Sequence, residues 1–434
     1  MKTQTCHFGM IMASCLGKML DKAKNQGKPR RYLRNINVRW FGFDLSDVQE
    51  MRIADDEVER YSIKKGDLVV CEGGEPGRCA IWCDEDTVCF QKALHRVRFN
   101  EASDPRFYMY YLWMLAKSGA LAEYYTGTGI KHLTGESLKK IPVPVPSLPE
   151  QKRIVAKIEE LFSELDSGVE TLKKTKQQLA VYRQAVLKAA FEGRYTEKWR
   201  KTHVNTLAES DLNNIRIHNT IYKDVSGDEN EIILALPREW IKVRMGDVFV
   251  VEVGATPSRR EPEYWNGDVA WVSSGEVRFN VIHKTLECIT QSGLNNTSTN
   301  VQPIGTIMLA MIGEGKTRGQ AAILNVPAAH NQNTAAILVS KTPCHPKYIY
   351  YFLQLNYENT RRVGSGNNQK ALNKERVRAL RFPFSSFEEQ KLIVSNIESR
   401  FSVCDSIEKT VDAALQQAEV MRQSILKKAF EGNL

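Results

Sequence analysis

The sequence predicts a mixed α/β (α+β) fold in which two globular domains are separated by two long antiparallel helices. The helices are expected to form an intramolecular coiled coil, so the chain would have a pseudo-two-fold internal repeat. Three observations support this: a duplicated segment, an apolar stripe along each copy, and short apolar runs elsewhere. Residues 150–193 recur at 389–432 with a constant offset of 239, and roughly half of the aligned positions are identical.

A weaker similarity extends upstream of the duplicated segment. Gly66-Asp67-Leu68 matches Gly305-Thr306-Ile307 at the same offset of 239, and Pro105-Arg106-Phe107 matches Pro346-Lys347-Tyr348 at 241. Each repeat therefore consists of a divergent globular part followed by a nearly constant segment. The divergent parts indicate different contacts, whereas the constant segments indicate a shared structural role.

The constant segments are predicted to be long helices. Their apolar residues recur at steps of three and four, neither contains proline, and each ends at a glycine, Gly193 or Gly432. At ~1.5 Å per residue each helix would be roughly 65 Å long. A narrow apolar stripe of that length needs a long partner, and the simplest partner is the other copy. The alternative is that each helix packs on its own globular domain.

The globular parts are predicted to contain short buried strands at 67–71 and 306–310, and helices at 107–115 and 348–355. The polar stretch between the first helix and the second domain is predicted to be rich in loops. The expected division of the chain is a first globular domain, a long helix, a linker, a second globular domain and a second long helix, at residues 1–149, 150–193, 194–236, 237–388 and 389–434.

Composition places few limits on function. The formal charge of +9 favours a polyanionic partner only mildly. No apolar run is long enough to cross a bilayer, and the cysteines form no CxxC pair, so a reduced, cytoplasmic chain is expected. A zinc site is a minor alternative for four clustered cysteines, but alternating strand positions explain their spacing better. The four are Cys71, Cys79, Cys83 and Cys89.

No catalytic motif withstands comparison with its required context. Residues 310–317 fit a relaxed P-loop pattern, but a helix must open directly after Lys316-Thr317 for its amides to hold phosphate. The following residues predict a turn and another strand instead. The chain also lacks the Pro-Pro of amino-methyltransferase motifs. It is predicted to be non-catalytic by itself, with no catalytic and no metal-binding residues.

Three regions in each repeat carry residues suited to DNA. Glycines allow close approach of backbone to phosphate, while Asn, Gln and Arg can pair with base edges. The first region is predicted to be a basic loop, with Lys28, Arg30, Arg31 and Arg34 in one repeat and Thr256, Ser258, Arg259 and Arg260 in the other. The second is the glycine-rich loop, with Arg78 in one repeat and Lys316 and Arg318 in the other. The third contributes Thr128, Lys131 and His132, and Asn367, Asn368, Gln369 and Lys370. Solvated surface loops are the alternative.

The order of these motifs resembles the specificity (S) subunits of type I restriction–modification systems over essentially the whole chain. The similar segments are 236–240 (Leu-Pro-Arg-Glu-Trp), 245–247 (Met-Gly-Asp), 254–259 (Gly-Ala-Thr-Pro-Ser-Arg), 262–265 (Pro-Glu-Tyr-Trp), 271–273 (Trp-Val-Ser), 141–144 (Ile-Pro-Val-Pro) and 149–155 (Pro-Glu-Gln-Lys-Arg-Ile-Val). The first repeat lacks the Pro-x-x-Trp opening, and only Leu16-Gly17 resembles Leu-Gly-Asp.

The resemblance implies two target-recognition domains that each read one half of a bipartite, asymmetric DNA site. The helix pair would set the spacing and dock two methyltransferase (modification) subunits. Those partners would carry S-adenosylmethionine and adenine N6-methylation, and restriction subunits would use ATP and Mg. No cofactor is expected on this chain, and no membrane is expected as a partner. The alternatives are the specificity subunit of a modification-only system and a non-DNA coiled-coil adaptor with two ligand-binding domains.

Overall fold

The computed structural model describes residues 4–21, 23, 25–203, 208–218, 234–313, 315–362 and 372–434. The chain divides into two compact units. Unit 1 comprises Met1–Thr175 and Thr410–Leu434, and unit 2 comprises Lys176–Lys409. Each unit therefore contains one globular part and a section of both long helices.

The described part of unit 1 contains twelve short strands and four helices before the linker. The strands are β1 (Thr5–His7), β2 (Met12–Leu16), β3 (Lys28–Leu33), β4 (Val38–Arg39), β5 (Gly42–Phe43), β6 (Gln49–Ile53), β7 (Ser62–Ile63), β8 (Leu68–Cys71), β9 (Cys79–Ile81), β10 (Val88–Phe90), β11 (Leu94–Phe99) and β12 (Pro142–Pro144). The helices are α1 (Val58–Tyr61), α2 (Pro105–Ser118), α3 (Gly135–Lys140) and α4 (Leu148–Phe191), of which α4 continues into unit 2.

Two four-stranded sheets form the globular part of unit 1, in the orders β6-β3-β10-β7 and β2-β11-β8-β9. Every residue of β8 is buried, as expected for a continuous apolar run. Helix α2 has a proline at its first turn and the carboxylate of Asp104 as its N-cap. Its apolar face packs in one core with Ile154 and Ile158 of α4 and Leu426 of the second long helix.

Unit 2 repeats this plan with different lengths. The strands are β13 (Ile241–Arg244), β14 (Val251–Val253), β15 (Trp265–Val272), β16 (Asn280–Ile282), β17 (Glu287–Ile289), β18 (Ile307–Ala310), β19 (Ala321–Leu324), β20 (Ala329–His330), β21 (Thr334–Ile337) and β22 (Arg381–Phe384). The helices are α5 (Glu197–Thr202), α6 (Ala208–His218), α7 (Met245–Val248), α8 (Gln291–Asn295), α9 (Pro346–Leu355), α10 (Tyr357–Arg362), α11 (Lys374–Ala379) and α12 (Phe387–Phe430).

The sheets of unit 2 have the orders β14-β21-β18-β19-β16 and β17-β15-β20. Each unit contains an equivalent pair of parallel strands, β3 with β10 in unit 1 and β15 with β20 in unit 2. The strands predicted at 67–71 and 306–310, and the helices predicted at 107–115 and 348–355, are confirmed as β8, β18, α2 and α9.

The two long helices are α4 and α12, each of 44 residues. Gly193 and Gly432, which follow their last turns, have φ of 68° and 77°, the left-handed conformation that glycine adopts at low cost. The predicted helix ends are thus confirmed to within two residues. The domain limits at 149, 236 and 388 remain predictions.

Within each unit the two long helices run antiparallel and make the same ion pair. In unit 1 the guanidinium of Arg422 donates to the carboxylate of Asp166. In unit 2 Arg183 donates to Asp405 at 2.6 Å. These residues are repeat partners, so α4 and α12 exchange roles between the units. The predicted mixed α/β fold class, with its antiparallel pair of long helices and its internal repeat, is confirmed.

The helices also pack on the globular part of each unit, so the two packing alternatives coexist. In unit 1, the ring centroid of Phe430 at the end of α12 lies 5.1 Å from that of Phe107 on α2. In unit 2, the ring centroid of Phe191 at the end of α4 lies 4.9 Å from that of Tyr348 on α9. The apolar stripe therefore serves both the helix pair and the domain core.

A fully buried glutamine explains why Glu-Gln-Lys recurs at the start of both helices. The side chain of Gln151 accepts from the backbone amide of Asp104 at 2.8 Å and donates to the carbonyl of Pro146 at 2.8 Å. Gln390 makes the same pair of bonds, with His345 at 3.0 Å and Ser385 at 3.0 Å. Each glutamine fastens the start of a long helix to the N-terminus of the domain helix.

One prediction of loop structure is wrong, and a second is tested only in part. Residues 28–33 form strand β3, because Tyr32 and Leu33 are buried and the segment pairs with β6. The linker after Gly193 is not mainly loop within its described part, since it contains α5 and α6. Helix α6 buries Ala208, Leu212 and Ile215, a three-and-four spacing that marks an amphipathic helix.

Candidate nucleic-acid interface

The glycine-rich loop of unit 1, Gly73–Arg78, brings the three predicted regions together. The amide of Asn35, just after β3, donates to the carbonyl of Gly73 at 3.3 Å. The backbone of Leu133, at the end of the third region, donates to the carbonyl of Glu72 at 2.8 Å. The three regions of unit 1 therefore form one continuous surface around this loop.

The cations of β3, and Arg34 directly after it, are mostly engaged by carboxylates. Lys28 and Arg30 both contact Asp55, at 3.2 and 2.6 Å, and the hydrogen bond from Arg30 is the main cause of the lowered pKa of that carboxyl. Arg34 contacts Asp47 at 2.6 Å. Arg31 is exposed and has no ion pair within the described residues, so it is the member of this set most available to a phosphate.

Arg78 shapes the glycine-rich loop from inside. Its side chain is only 15% exposed and contacts Glu75 at 2.8 Å. It also donates to the backbone carbonyl of Asn35 at 2.9 Å. The indole of Trp40 donates to the same Glu75 at 2.8 Å. Arg78 thus connects the loop to the end of β3 instead of projecting from it.

The third region of unit 1 is an exposed loop closed by a bridge between Thr126 and His132. Thr128 and Lys131 lie on its exposed side, and the ammonium of Lys131 donates to the carbonyl of Gly127 at 3.0 Å. His132 lies against the glycine-rich loop, where a Cβ at position 73 would come within 3.1 Å of its Nδ1. The loop offers hydroxyl, ammonium and imidazole groups to a ligand.

A cation that sequence reasoning missed also lies here. Lys92 is exposed and lies near Glu72. Burial raises the pKa of Glu72, and the positive charge of Lys92 partly offsets that rise. The adjacent Ala93 accepts a hydrogen bond from the amide of Glu72 at 2.9 Å. The repeat gave no signal for this lysine, because its structural counterpart in the second repeat is Gln332, which carries no charge.

The first region does not correspond between the units as the sequence suggested. Gly17 and Gly254 occupy the same place, since a Cβ on either would collide with a backbone carbonyl, of Gln91 or of His330. The counterpart of residues 256–260 is thus the stretch after Lys18 and not β3. It contains Met19, which is 57% exposed. A sequence offset could not show this, because the two stretches share no residue pattern.

Two further glycines show which residues of the first repeat correspond to the start of the second domain. Gly9 and Gly246 are equivalent, because a Cβ on each would meet the side chain of a repeat-related residue, Lys139 at 2.9 Å or Arg378 at 2.8 Å. The counterpart of Met245-Gly246-Asp247 is therefore Phe8-Gly9-Met10 and not Leu16-Gly17. Sequence comparison missed this because only the glycine is shared.

In unit 2 the first region, Thr256–Arg260, is held at several points. The hydroxyl of Thr256 donates to Gln332 at 2.5 Å. Ser258 accepts through its backbone from Trp265, and Arg259 is paired with Glu287. Arg260 is exposed and has no side-chain partner within the described residues.

The glycine-rich loop of unit 2 is longer than that of unit 1. Gly77 and Gly319 have φ of 89° and 85°. Each donates to the last residue of the preceding strand, Cys71 at 2.9 Å or Ala310 at 2.8 Å. Residues 72–76 lie between these points in unit 1 and residues 311–318 in unit 2, five against eight. Lys316 and Arg318 thus belong to the longer loop. Gln320 takes the position of Arg78, because its carbonyl accepts from the amide of Ala310 just as the carbonyl of Arg78 accepts from the amide of Cys71.

This loop packs on α10 and leads into a strand. The hydroxyl of Tyr357 donates to the carbonyl of Lys316 at 2.5 Å, and Gly319 lies against Arg361. Arg361 is a second cation that the sequence did not single out. The turn and strand expected after Lys316-Thr317 are confirmed, since β19 begins at Ala321. The helix that a phosphate-binding P-loop requires does not follow.

The third region of unit 2, including Asn367, Asn368, Gln369 and Lys370, lies outside the described residues. The chain is described again from Leu372, whose amide donates to the carbonyl of Met311 at 3.1 Å. Leu133 and Glu72 make the equivalent bond in unit 1. Leu372, the first described residue after this region, therefore lies beside the glycine-rich loop, as Leu133 does in unit 1.

A buried histidine supports the end of the third region in unit 1. The Nε2–H of His95 donates to the carbonyl of Leu133 at 3.2 Å, and the side chain is only 2% exposed. Burial lowers the pKa of His95 to about 4. In unit 2, His330 is buried against Thr334, and burial also lowers its pKa to about 4.

These histidines predict a pH-dependent stability. The unfolded state binds the proton near pH 6.5 and the folded state only near pH 4. Stability is therefore fully present above pH 6.5 and falls as the pH drops towards 4. Hydrogen exchange of unit 1 peptides between pH 7 and 5 is expected to show this loss, and His95→Gln is expected to remove most of it. Unit 2 peptides of the same variant serve as the control, because His330 is unchanged.

Other classes of site find little support. Within the described ranges no cluster of three or more His, Cys, Asp or Glu side chains could hold a metal ion. Of the four clustered cysteines, Cys71, Cys79 and Cys89 are buried on strands and Cys83 is exposed. None of the described helices combines the length and apolarity that a membrane span requires.

Comparison with known proteins identifies the family. The family described as "Type I restriction modification DNA specificity domain" matches residues 31–179 and 237–417. The EcoBI specificity subunit of Escherichia coli is 27% identical over 395 residues, covering 87% of this chain and 75% of that protein. The EcoKI specificity subunit of Escherichia coli K12 is 26% identical over 317 residues, covering 71% of this chain and 61% of that protein.

Solved structures show the same fold. A chain from a study of "complex assembly and conformational transition of the type I R-M system" has a TM-score of 0.72 and 16% identity, covering 99% of this chain and 98% of its own length. The HsdS subunit from Thermoanaerobacter tengcongensis has a TM-score of 0.57 and 17% identity, covering 99% and 97%. With both domains matched by the family and both ends of the helix pair repeated, the chain belongs to the specificity subunits of type I restriction–modification systems.

Proposed function

We propose that this chain supplies the DNA sequence specificity of its complex, with each recognition domain reading one half of a bipartite, asymmetric site. The observation that carries the proposal is a contrast between the two repeats. The helix contacts of Asp166 with Arg422 and of Asp405 with Arg183 are conserved between the units, whereas the surface loops differ in length and residue type. A repeated helix pair that carries two different sets of surface loops suits a DNA site whose two halves differ.

The loop chemistry supports DNA as the ligand. Exposed cations in or beside the glycine-rich loops, such as Lys92 in unit 1 and Lys316 in unit 2, can bind phosphates, and nearby hydroxyl and amide side chains can reach base edges. Affinity should therefore fall steeply with salt concentration. A non-DNA adaptor gives no reason for cations at these loops in both units.

The helix pair is proposed to set the spacing between half-sites and to dock two methyltransferase subunits. Val181 and Tyr182 on α4 are 70% and 48% exposed. Their repeat partners on α12, Val420 and Met421, are 67% and 45% exposed. An exposed apolar pair at equivalent places suits two copies of one partner. Methyl transfer, and restriction in the full complex, would belong to the partner subunits, in the cytoplasm.

Methylome sequencing tests the proposal. Cells that express this chain with its methyltransferase are expected to carry N6-methyladenine in one bipartite motif with a fixed unread spacer. Cells that express the methyltransferase alone are the control and should lack that motif. A continuous motif, or the same motif in the control, would count against two separate recognition domains.

The third region of unit 2 gives a sharper prediction. Replacing Asn367 and Asn368 by Ala is expected to relax one or two base positions of the second half-site, at about 1–3 kcal/mol per position. The first half-site should stay unchanged. The matched control is Thr128→Ala with Lys131→Ala in unit 1, which should affect the first half-site alone. Equal weakening on all DNA sequences would instead identify a phosphate-binding loop.

A further inference from the structure

Two tryptophan side chains hold the backbone of segment 254–260 of unit 2 by hydrogen bonds. The indole of Trp265 donates to the carbonyl of Ser258 at 3.1 Å, and the indole of Trp271 donates to that of Ala255 at 3.1 Å. The two rings pack edge to face with centroids 5.2 Å apart. The backbone path of this loop is therefore set by strand β15, from which both tryptophans project.

Arg259 completes this arrangement. Its guanidinium lies 3.6 Å above the centroid of the Trp265 ring. Its two terminal nitrogens donate to the two carboxylate oxygens of Glu287 on β17, at 2.5 and 2.9 Å. Their hydrogen bonding raises the pKa of Arg259 and lowers that of Glu287, so both groups are charged. A bidentate, stacked arginine has a single well-defined position.

We propose that Arg259 is a positioning residue that holds loop 254–260 in its DNA-reading conformation, and that Ser258 and Arg260 make the contacts with DNA. This rests on the proposed DNA-reading function of the domain. Arg260 is exposed with no side-chain partner among the described residues, so its charge is available. The adjacent Arg259 has its fork occupied by Glu287.

Direct binding of DNA by Arg259 is disfavoured on electrostatic grounds. Release of the guanidinium would break two charge-assisted hydrogen bonds and leave the carboxylate of Glu287 unpaired beside a polyanion. New contacts with a phosphate or a guanine would have to offset both losses. The hydrogen bond from Thr256 to Gln332 further connects the loop to residues beside the glycine-rich loop, because Asn333 accepts from the amide of Met311 at 2.9 Å. A shift of the loop would therefore disturb the second reading surface as a whole.

The variant Glu287→Gln gives opposite outcomes for the two roles. If Arg259 positions the loop, loss of the carboxylate should weaken binding of the assembled methyltransferase complex to its target on the order of tenfold, within the usual range for one specific contact. The loss should vanish on DNA with a scrambled second half-site. If Arg259 binds DNA directly, removal of its competing acid should leave affinity unchanged or raise it. Either of those results overturns the proposal.

A second pair of variants separates positioning from charge. Arg259→Lys keeps the charge but loses the bidentate fork, so it should behave like Glu287→Gln, whereas a phosphate contact would tolerate lysine. Arg260→Met should reduce the slope of log affinity against log salt by about 1, and adding Arg259→Met to Arg260→Met should leave that reduced slope unchanged, because Arg259 itself neutralises no phosphate. A further reduction of the slope in the double variant, or full affinity in Arg259→Lys, contradicts the proposed role.

Glu261→Gln is the matched control, since Glu261 directly follows this segment and is an exposed carboxylate with no side-chain partner among the described residues. It should leave the second half-site unaffected. Hydrogen exchange of strand β15 in each variant checks that unit 2 remains folded. If the unmodified complex itself shows no sequence preference, the DNA-reading function fails, and that outcome is distinct from failure of the positioning role.

Discussion

A chain with seven residues inserted into each long helix is expected to direct methylation to a motif whose unread spacer is longer by up to about 3 bp. Seven residues extend a helix by ~10 Å, and duplex DNA rises ~3.4 Å per base pair. The insertions belong at Gln177 in α4 and after Thr410 in α12, beside the contact of Lys176 with Glu408 at 3.8 Å. Seven residues preserve the apolar stripe of each helix.

Both half-sites are expected to remain unchanged in that variant, because no loop residue is altered. Methylome sequencing gives the spacer and the half-sites in one measurement. The matched control inserts seven residues at Gln177 alone. That change would shift α4 against α12 and place Arg183 away from Asp405, so methylation should be largely lost. New half-site letters at constant spacing would contradict a role of the helices in setting the distance.

Glu389→Ala is expected to destabilise unit 2 by about 3 kcal/mol, because it removes the nearer and more buried of the two carboxylates that pair with Arg200. The Glu389 side chain is 3% exposed and contacts Arg200 at 2.5 Å. It also accepts from the hydroxyl of Thr196 at 2.7 Å and from the indole of Trp240 at 2.8 Å. This carboxylate thus joins α12, the segment after α4, and the start of the second globular part.

The repeat supplies the control for this prediction. Glu150 occupies the same place in the first repeat, but its side chain is 42% exposed, and among the described residues its ion-pair partner is Arg153, at 2.8 Å. Glu150→Ala should therefore cost less than about 1 kcal/mol. Hydrogen exchange of the first turns of each helix measures both, and Glu389→Ala should lose roughly two orders of magnitude of protection in α12. Equal losses in the two variants would show that the buried network adds nothing to stability.

The same comparison shows how far the repeat could be interpreted from the sequence. Glu150 and Glu389 both open a Glu-Gln-Lys segment, and both lie in the first turn of a long helix as predicted. Their environments differ because residues 196, 200 and 240 fold over Glu389, and these lie far away along the chain. Local sequence determines the helix, whereas burial of its first turn depends on distant segments.

The surface loops show a similar division. Glycine-rich loops after β8 and β18 were predicted correctly, because an apolar run ended by glycines is a local signal. The correspondence of β3 with residues 256–260 was wrong, because it depended on which strand each segment meets. The amides of Lys18 and Ala255, which bond to Phe90 and His330, identify the equivalent positions.

By itself the sequence determined the duplicated frame: two long helices, their glycine ends, the strands before the loops and the family. Those features depend on periodicity and on neighbours within a few residues. Only the tertiary structure decided which charges remain available, since Arg30 and Arg259 are engaged by Asp55 and Glu287 from other elements. Ion pairs form between segments that the fold brings together, so the charge available at the surface is a property of the folded chain.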